Sequence, residues 1–520
     1  MPSHPTTMGC MPRYAAIDIG SNSIRMEAAE VQPGQPPRIL ASDREVTRLG
    51  ESVFRTGVVG EDAVRLTCDV LARMAVLYRK LDVVGVRAVA TSAIRDTHYP
   101  AEFLARASRA AGTPVEIISG REEARLIHLG VQTVWPQPRR RVLVIDVGGG
   151  SAEIIGADDG HTGEVFSAPL GAVRLQAIFL ESDPPSLLEL HQMREFIDEK
   201  LAAAVNRLAH ARWDRGIATS ATASAVVSAI TRVSRSQREY IDRVRVSAAQ
   251  VRRLYTRLSQ LSLAGRREVT GIGPRRAEII VPGVAVLARF LELFQLPSLY
   301  FSRAGVRDGI IADLAARGVG MELSQLSRDQ RREAERVGRR FGVSIERGRK
   351  VAAIGHMLFQ ALQPLHRLPP AYGKLLEAAA YLLDVGHYVS NSRHHKHSWY
   401  VVANSDLAGF TERERLSIAA LCRYHRRSMP SPVHDSWQAL TPDERRALYL
   451  LIPLLRLADN LDRGHDQRIQ GVECRIRDGH VVLLVNAIGD IDLEQWAAER
   501  AGEVFQQVYG KAISVEKARL

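Results

Sequence analysis

The sequence predicts an α/β protein in which two related lobes enclose a cleft, followed by an all-α domain and a small α+β C-terminal region. Three observations support this architecture. Two segments share one pattern of strand, glycine turn and strand; strand and helix patterns alternate through residues 14–318; and helical patterns dominate beyond residue 331. Because a repeated segment is the usual sign of a duplicated unit, the two segments predict two copies of one lobe.

The first copy of the pattern covers residues 14–30, YAAIDIGSNSIRMEAAE. An apolar segment reaches Asp18 and Gly20, and a second strand pattern follows a short polar turn. The turn residues are Ser21, Asn22 and Ser23. This pattern predicts a β-hairpin whose turn can present backbone N–H groups to an anion.

The second copy covers residues 142–157, VLVIDVGGGSAEIIGA, with Asp146 before the turn and Glu153 after it. Its turn residues are Gly148, Gly149, Gly150 and Ser151. Glycine lacks a Cβ, so this turn lets a phosphate approach the backbone closely. Carboxylates beside a phosphate indicate either a hard cation such as Mg²⁺ between them or an activated water. An ordinary glycine-rich hairpin is the alternative, and the duplication argues against it.

A helix pattern over residues 61–80 precedes a predicted strand that ends in Thr91, Ser92 and Arg95. A later helix pattern begins after Ser119 and carries two glutamates in its first turn, Glu122 and Glu123. The helix dipole alone favours acidic residues at that position. The helix lies between the two hairpins in sequence, however, so we expect its start to face the cleft.

The rest of the first half continues the alternation of strands and helices. A small-residue loop over residues 219–224 opens an apolar helix and is a second candidate anion site. Arg275 and Arg276 precede a buried helix pattern, and residues 318–330 form a plausible linker. The linker separates this half from the helical half.

The helical half is basic and ends in a further strand pair. Its basic segments are Arg339, Arg340, Arg347, Arg349 and Lys350; Arg393 and Lys396; and Arg423, Arg426 and Arg427. They form either solvated helix faces or a groove for a linear polyanion, which gains affinity with each cation it meets. Residues 472–486 predict a hairpin with Asp478–Gly479 at its turn.

Composition narrows the class of protein. The 520 residues include 70 Lys and Arg against 58 Asp and Glu, a net charge of +12, which favours an anionic partner. The four scattered cysteines, without a CxxC pair, predict reduced thiols. Residues 1–13 lack the apolar core of a signal peptide, and residues 447–455 are too short to span a bilayer. We therefore expect a cytoplasmic protein without a membrane partner.

Seven motifs resemble, in order, those of the exopolyphosphatase and guanosine-pentaphosphate phosphatase family. They are AAIDIGSNSIR, AVATSAIRD, ISGREEARLI, LVIDVGGGSAE, PLGAVRL, RRAEIIVPGVAVL and SRAGVRDGI, and they cover residues 15–310. The resemblance implies the actin-like (ASKHA, ribonuclease H-like) fold and the family's long form. The domains would then be lobe I over residues 1–134, lobe II over 135–318, a helical HD-like domain over 331–470 and a C-terminal region over 471–520.

The resemblance also implies that water cleaves a terminal phosphoanhydride between the lobes. Asp18 and Asp146 would position Mg²⁺, Glu123 would be the general base, and Glu153 would hold the metal or the attacking water. Glu122 stays open as the alternative base. The family's substrate-holding positions correspond here to Ser21, Asn22, Ser23, Ser92, Arg95, Gly148, Gly149, Gly150, Ser151, Thr222 and Arg276. The sequence departs from the family at Ala221, where many members have glycine.

The helical extension resembles the HD phosphohydrolase fold, in which a paired His-Asp binds metal. Here Leu383 precedes Asp384, so that histidine is missing, while Asp459 fits the later acidic position. The nearby histidines are His387, His394, His395, His397 and His425. We therefore expect a degenerate metal site with surface or packing histidines.

The favoured function is an exopolyphosphatase that releases orthophosphate from inorganic polyphosphate. The alternative is hydrolysis of guanosine pentaphosphate, a nucleotide of the stringent response, and one protein may perform both reactions. An actin-like sugar kinase or ATPase is disfavoured because no adenosine-binding segment is evident. A non-catalytic polyanion-binding or RNA-binding protein would not require the four acidic residues, and no aromatic RNA-binding motif occurs. We also expect a homodimer and no specific nucleic-acid partner.

Overall fold

The computed structural model of the chain describes residues 11–32, 34–317, 324–477 and 479–518, with the backbone only at residue 239. The chain divides into two compact units, residues 1–319 and 320–520. Cys10, residues 318–323 of the expected linker and Asp478 of the expected hairpin turn lie outside the described residues. In the described part of the chain, no helix has both the length and the apolar character needed to cross a membrane.

The first unit contains two sheets and the helices that cover them. Its strands are β1 (Arg13–Ile19), β2 (Ile24–Glu30), β3 (Arg38–Glu45), β4 (Gly85–Ala90), β5 (Val115–Ile117), β6 (Arg141–Val147), β7 (Ala152–Asp158), β8 (His161–Ala168), β9 (Arg215–Thr219), β10 (Arg245–Ser247) and β11 (Ser298–Phe301). Its α-helices are α1 (Leu49–Thr56), α2 (Glu61–Arg79), α3 (Ser92–Asp96), α4 (Pro100–Ala111), α5 (Gly120–Val134), α6 (Ala172–Phe179), α7 (Leu187–Leu208), α8 (Ser220–Thr231), α9 (Ala248–Gln260), α10 (Leu263–Arg267), α11 (Pro274–Ala277), α12 (Ile280–Leu293) and α13 (Val306–Arg317). A 3₁₀ helix covers Arg235–Tyr240.

The two sheets share one topology. The first has the order β3-β2-β1-β4-β5, and the second has the order β8-β7-β6-β9-β11 with β10 added at its edge. In each sheet three antiparallel strands are followed by parallel strands, β4 beside β1 and β9 beside β6. The apolar strands fit this arrangement because helices cover both faces of such sheets. The duplicated lobe that the sequence predicts is therefore present.

Two helices join the lobes. Helix α5 packs against β8 of the second sheet, and α13 packs against both α5 and β1 of the first. Ile310 and Ile311 of α13 are buried in one cluster with Tyr14 and Ala16 of β1. The last helix of the segment assigned to lobe II thus returns to the first sheet, because its apolar face covers β1.

One local prediction is wrong in the first unit. The strand expected to end in Thr91, Ser92 and Arg95 stops at Ala90, and Ser92 and Arg95 lie on the short helix α3. The N–H groups of Ile94 and Arg95 donate to the backbone carbonyl of Thr91, which starts the helix immediately after the strand. Both side chains therefore belong to a helical turn at the carboxyl end of β4.

The second unit is mainly helical. Its α-helices are α14 (Arg328–Arg340), α15 (Ile345–Ala361), α16 (Gln363–His366), α17 (Ala371–Leu382), α18 (His394–Ala403), α19 (Glu412–Tyr424), α20 (Asp435–Gln438), α21 (Pro442–Asn460) and α22 (Asp492–Tyr509), with a 3₁₀ helix at Val385–Tyr388. Its strands are β12 (Ile469–Arg477), β13 (His480–Ala487) and β14 (Ala512–Lys517).

The core of the second unit is one apolar cluster that includes residues of α15, α17, α19 and α21. The predicted hairpin is present as the antiparallel pair β12 and β13. Strand β14 adds to it in parallel, a pairing that the sequence analysis did not foresee. Helix α14 begins at Arg328, inside the segment expected to be a linker, because Ser327 caps it with a capping box.

Candidate active site

The two hairpins of the first unit place matching carboxylates at matching positions. Asp18 lies opposite Arg25 across the β1–β2 pair, and Asp146 lies opposite Glu153 across the β6–β7 pair. Both aspartates therefore stand near the carboxyl end of the first strand of a lobe.

The turns of the hairpins also match. The N–H of Gly20 donates to the carbonyl of Ser23 with an N···O distance of 3.2 Å, and the N–H of Gly148 donates to the carbonyl of Ser151 at 3.0 Å. Each hydrogen bond closes a short loop, which begins at Ser21 in the first hairpin and at Gly149 in the second. The equivalence inferred from sequence between Gly20 and Gly148 is confirmed by this hydrogen bond.

The two turns lie against each other. A Cβ added at Gly149 would lie 3.0 Å from Cβ of Ser21 and 3.2 Å from the backbone nitrogen of Asn22. A Cβ at Gly150 would lie 2.5 Å from Oγ of Ser92, which itself accepts a 3.1 Å hydrogen bond from Nη2 of Arg174. Only glycine allows this approach, so the turns that the sequence predicts as anion-binding meet at one place between the lobes.

Four carboxylates interact electrostatically at this place: Asp18, Asp146, Glu153 and Glu123. Burial, and then repulsion from Asp146, raise the pKa of Glu153 to about 7. Burial raises the pKa of Asp146 to about 6 and that of Asp18 above its usual value, although arginines oppose both shifts. Four neighbouring acidic groups whose ionisation is opposed have the chemistry to hold a cation.

Glu123 reaches the cluster from the start of α5. Ser119 caps this helix by accepting a hydrogen bond from the N–H of Glu122 at 3.1 Å. A Cβ at Gly120 would lie 2.3 Å from Oγ of Ser167, and that hydroxyl donates to Oε1 of Glu153 at 2.8 Å. The close contact of α5 with β8 thus brings the two glutamates together. Burial, and then Glu153, hold the pKa of Glu123 well above its usual value.

Arg95 lies beside this glutamate. Its Nη1 donates to the carbonyl of Ile118 at 2.7 Å and lies 3.4 Å from Oε2 of Glu123. The carbonyl fixes the guanidinium, while the contact with the carboxylate is long. The structure therefore places Arg95 beside the carboxylate cluster, and its contact with the substrate stays a prediction.

Glu122 does not join the carboxylate cluster, although it is a candidate catalytic residue in the sequence analysis. Its carboxylate accepts hydrogen bonds from Arg125 at 2.7 Å and from Arg87 at 3.1 Å, and both arginines also bond Asp313. Burial alone would raise the pKa of Glu122, but the two arginines keep it below its usual value. Glu122 of α5 is thus bonded to Arg87 of β4, and the two arginines extend this network to Asp313 of α13.

Three arginines that lack a salt-bridge partner among the described residues form the arginine group: Arg25, Arg44 and Arg276. Burial, followed by repulsion from Arg25 and Arg44, lowers the pKa of Arg276 to about 9. Burial and then Arg307 and Arg44 lower that of Arg25 to about 10. Clustered, partly desolvated guanidinium groups that lack a salt bridge have the chemistry to bind a multivalent anion.

Sequence reasoning identified Arg276 of this group and missed Arg25 and Arg44. The available signal for Arg25 was its hairpin register, which places it opposite Asp18. Arg44 lies on β3, beside Arg25 in the sheet, and only the pairing of β2 with β3 shows this. Thr219 belongs to the loop predicted as a candidate anion site, and its hydroxyl donates to Oδ2 of Asp146.

The loop at the start of α8 differs in detail from the expected anion site. The hydroxyls of Thr222 and Ser220 donate to the carbonyl of Val147 at 2.9 and 3.0 Å, so both join α8 to the end of β6. The strained backbone is at Ser220, with φ 81°, while Ala221 is not among the residues with positive φ. The alanine that departs from the family pattern therefore occupies a position that does not need glycine.

The residues fit a hard divalent cation. Asp18 and Asp146 supply carboxylate oxygens, the ligands that Mg²⁺ prefers, and Glu153 lies opposite Asp146. The chemistry of the donor set carries this fit, since a bound cation would stabilise carboxylates whose ionisation is opposed first by burial and then by their acidic neighbours.

The fold and this site define an actin-like, two-lobed α/β protein with an acidic and arginine-lined centre. A family model described as the Ppx/GppA phosphatase family matches residues 28–317, and one described as Ppx/GppA phosphatase domain III matches residues 330–487. The chain belongs to the Ppx/GppA phosphatase family, a family of hydrolases.

Solved structures of the family are similar to this chain. A Ppx/GppA family member from Aquifex aeolicus is 28% identical with a TM-score of 0.52, and the match covers 59% of this chain and 98% of that one. An exopolyphosphatase from Cytophaga hutchinsonii is 25% identical with a TM-score of 0.55, covering 59% and 99%. The match thus covers nearly the whole of each solved chain, whereas about two fifths of this chain lies outside the match.

Three arginines of the first basic segment of the second unit are paired with carboxylates. Arg339 and Arg349 both bond Glu335, at 2.9 and 2.7 Å. Arg347 bonds Asp384 and Asp459. Part of the positive charge that suggested a polyanion groove is therefore neutralised locally.

Proposed function

We propose that this protein is a Mg²⁺-dependent exopolyphosphatase that hydrolyses the terminal phosphoanhydride of inorganic polyphosphate. The observation that carries the proposal is the juxtaposition of the four buried carboxylates with Arg25, Arg44 and Arg276. Arginines without partners suit a substrate with charge on every unit, and the carboxylates suit metal-assisted attack by water. Orthophosphate and a polyphosphate shorter by one unit are the products.

In this proposal the aspartates bind the metal and a glutamate accepts the proton. Asp18 and Asp146 hold Mg²⁺, which supplies charge neutralisation on the terminal phosphate when it is bound. Glu123 orients a water molecule and accepts its proton while the water oxygen attacks the terminal phosphorus. The bond from that phosphorus to the bridging oxygen breaks, and the bridging oxygen leaves with the shortened chain. Burial raises the pKa of Glu123, and a cation bound beside it would favour the ionised form that accepts the proton.

The turns of the hairpins hold the terminal phosphate in this proposal. Their backbone N–H groups and the hydroxyls of Ser21 and Ser151 surround the place where the lobes meet. Arg95 contacts the same phosphate, and the arginine group holds the next units of the chain. Thr222 acts indirectly, because its hydroxyl already bonds the backbone of β6.

Guanosine pentaphosphate is the second candidate substrate. The arginine group would bind any chain of phosphates, and the carboxylates meet only the terminal one, so a nucleotide beyond that chain is compatible with the site. Polyphosphate is the first candidate because the similar structure from Cytophaga hutchinsonii is an exopolyphosphatase. A homodimer and a cytoplasmic location stay predictions.

The deciding experiment measures phosphate release from long-chain polyphosphate and from guanosine pentaphosphate, each with Mg²⁺ and with a chelator. We expect Mg²⁺-dependent release from both, with the higher kcat/KM for polyphosphate. A higher kcat/KM for guanosine pentaphosphate would reverse the ranking. Release from neither substrate, by protein that binds polyphosphate, would overturn the proposal in favour of a binding protein.

A further inference from the structure

Three segments of the second unit bring histidines to one carboxylate. Asp384 follows α17, His387 lies on the 3₁₀ helix Val385–Tyr388, and His394 begins α18. A ligand atom from each of the three residues lies within 4.8 Å of the others, close enough to share one metal ion. None of this belongs to the carboxylate cluster of the first unit.

The distances suit coordination. Nε2 of His387 lies 3.7 Å from Oδ1 of Asp384, and Nε2 of His394 lies 3.9 Å from the same oxygen. Two donors on a tetrahedral Zn²⁺ are about 3.4 Å apart, given metal–nitrogen distances near 2.0–2.1 Å. His425 is a further donor at that spacing, since its Nε2 lies 3.4 Å from Nε2 of His394.

In His387 and His425 the ring N–H donates a hydrogen bond to an oxygen outside the group. Nδ1 of His387 donates to Oδ1 of Asn391 at 2.8 Å, and Nδ1 of His425 donates to the carbonyl of Cys422 at 2.7 Å. A neutral imidazole has a single N–H, so these bonds leave Nε2 of each ring with a lone pair. Metal-binding histidines are held in this way, with the other ring nitrogen bonded to an oxygen.

His394 is the central ring of the group. It is 3% exposed, its ring stacks on that of His387 with centroids 3.7 Å apart, and it hydrogen-bonds to the backbone of Asn391. Its Nε2 lies near the nitrogen of His425 and the oxygen of Asp384, two atoms that both act as acceptors. A cation among these atoms would satisfy all of them at once.

Two arginines border the group. Arg347 bonds Oδ2 of Asp384 and also Asp459, which leaves Oδ1 of Asp384 facing the histidines. Nη1 of Arg426 lies 3.3 Å from both ring nitrogens of His394, within hydrogen-bond distance of the ring. Arg426 is exposed and can move into solvent when a cation binds.

We propose that Asp384, His387 and His394, with His425 as a fourth donor, form a binding site for a divalent transition metal of the Zn²⁺ class. Imidazole nitrogens favour such ions over Mg²⁺. The sequence analysis expected packing histidines because Leu383 replaces the histidine of a His-Asp pair. The proposed donors do not include that position. A bound ion would join the segment after α17 to the starts of two helices and to the end of α19.

The test uses the full-length protein, stripped with a chelator and then held in excess Mg²⁺ to occupy the carboxylate cluster. Zn²⁺ or Co²⁺ is titrated, and bound metal per chain, the visible absorption of Co²⁺ and the thermal unfolding temperature are measured. We expect one Zn²⁺ per chain, a Co²⁺ spectrum typical of mixed nitrogen and oxygen ligands, and a higher unfolding temperature with Zn²⁺.

Variants locate the ion. H387A, at an exposed histidine, and H394Q should each lose the bound equivalent, while H397A on the same helix should keep it. N391A, which removes only the acceptor for His387, should weaken Zn²⁺ binding by roughly 10- to 100-fold. Absence of binding in the unmodified protein would overturn the proposal. Equal binding in H387A and H397A would overturn it as well, since the ion would then lie elsewhere.

Discussion

The two units of this protein contain clusters of ionisable side chains built from different chemistry. In the first unit, buried carboxylates from both lobes lie beside arginines without partners. In the second, imidazole rings surround one aspartate, and Arg347, which bonds that aspartate, is paired with a second carboxylate, while Arg426 lies against a ring. Oxygen ligands suit Mg²⁺, whereas nitrogen ligands suit a softer metal. In the described part of the chain, arginines without carboxylate partners occur in both units, so the buried carboxylate cluster beside them is what distinguishes the first.

The largest expected effect separates the two adjacent glutamates of α5. E123Q should lower kcat on polyphosphate by roughly 100-fold or more, because it removes the proton acceptor. E122Q should leave kcat much closer to that of the unmodified protein and instead lower the unfolding temperature, because it disrupts the bonds to Arg87 and Arg125. Steady-state kinetics with folded protein check both. The reverse order of kcat values would make Glu122 the base.

Metal dependence gives the next effect. D18N and D146N should each remove most Mg²⁺-dependent activity, since each takes a negative charge from the hard-cation site. Activity is measured as Mg²⁺ is titrated. D459N, which alters an aspartate of the second unit bonded to Arg347, is the control and should keep the Mg²⁺ dependence. Identical Mg²⁺ curves for all three variants would make Asp18 and Asp146 structural.

The arginine group predicts a smaller effect on affinity. R276Q should weaken polyphosphate binding by about 10-fold and reduce the dependence of affinity on salt, because one fewer cation meets the chain. R253Q, on an exposed face of α9, is the control and should change neither quantity. Equal salt dependence for R276Q and the unmodified protein would remove Arg276 from the substrate path.

A truncated chain ending at residue 317 tests the second unit. The match covers 98% and 99% of two solved relatives but 59% of this chain, so we expect the truncated chain to fold. It should retain cleavage of short polyphosphate and show a few-fold loss of affinity and processivity on long chains. We expect a modest effect because Arg339, Arg347 and Arg349 are already ion-paired. Equal processivity for the two proteins would leave the second unit without a role in holding polyphosphate.

The carboxylate cluster also predicts a pH dependence of stability. Burial and Asp146 raise the pKa of Glu153 from 4.5 to about 7, so the folded state holds a proton that the unfolded state releases. Without Mg²⁺, stability should therefore fall as pH rises from about 4.5 to 7, by about 1–3 kcal/mol. The pKa of Glu123 is also raised, by burial and then by Glu153, so this residue contributes to the same dependence. E123Q should therefore flatten the dependence of stability on pH and raise the unfolding temperature at pH 8 by about 2 °C or more. Calorimetry in chelator measures both.

The local pattern of the sequence was enough to predict the duplicated hairpins and their aspartates. Strand, glycine turn and strand are set by neighbouring residues, and the structure confirms Asp18 and Asp146 at equivalent ends. The partners of Glu122 could not be predicted in this way. Arg87, Arg125 and Asp313 lie on three elements far apart in sequence, and only tertiary packing unites them. The same holds for Arg44 and for the histidines around Asp384.

Glu122 and Glu123 are neighbours in the chain, but substitutions at the two positions have different consequences. Glu122 shares its charge with Arg87 and Arg125, so a change at any of these residues alters the effect of a change at the others. Substitutions at Glu122 are therefore epistatic with substitutions at Arg87 and Arg125. Glu123 has no comparable set of partners among the described residues, so under the proposed function one substitution there would abolish catalysis while the protein still folds. A substitution at Glu122 would instead act on stability, because it disrupts the bonds to Arg87 and Arg125.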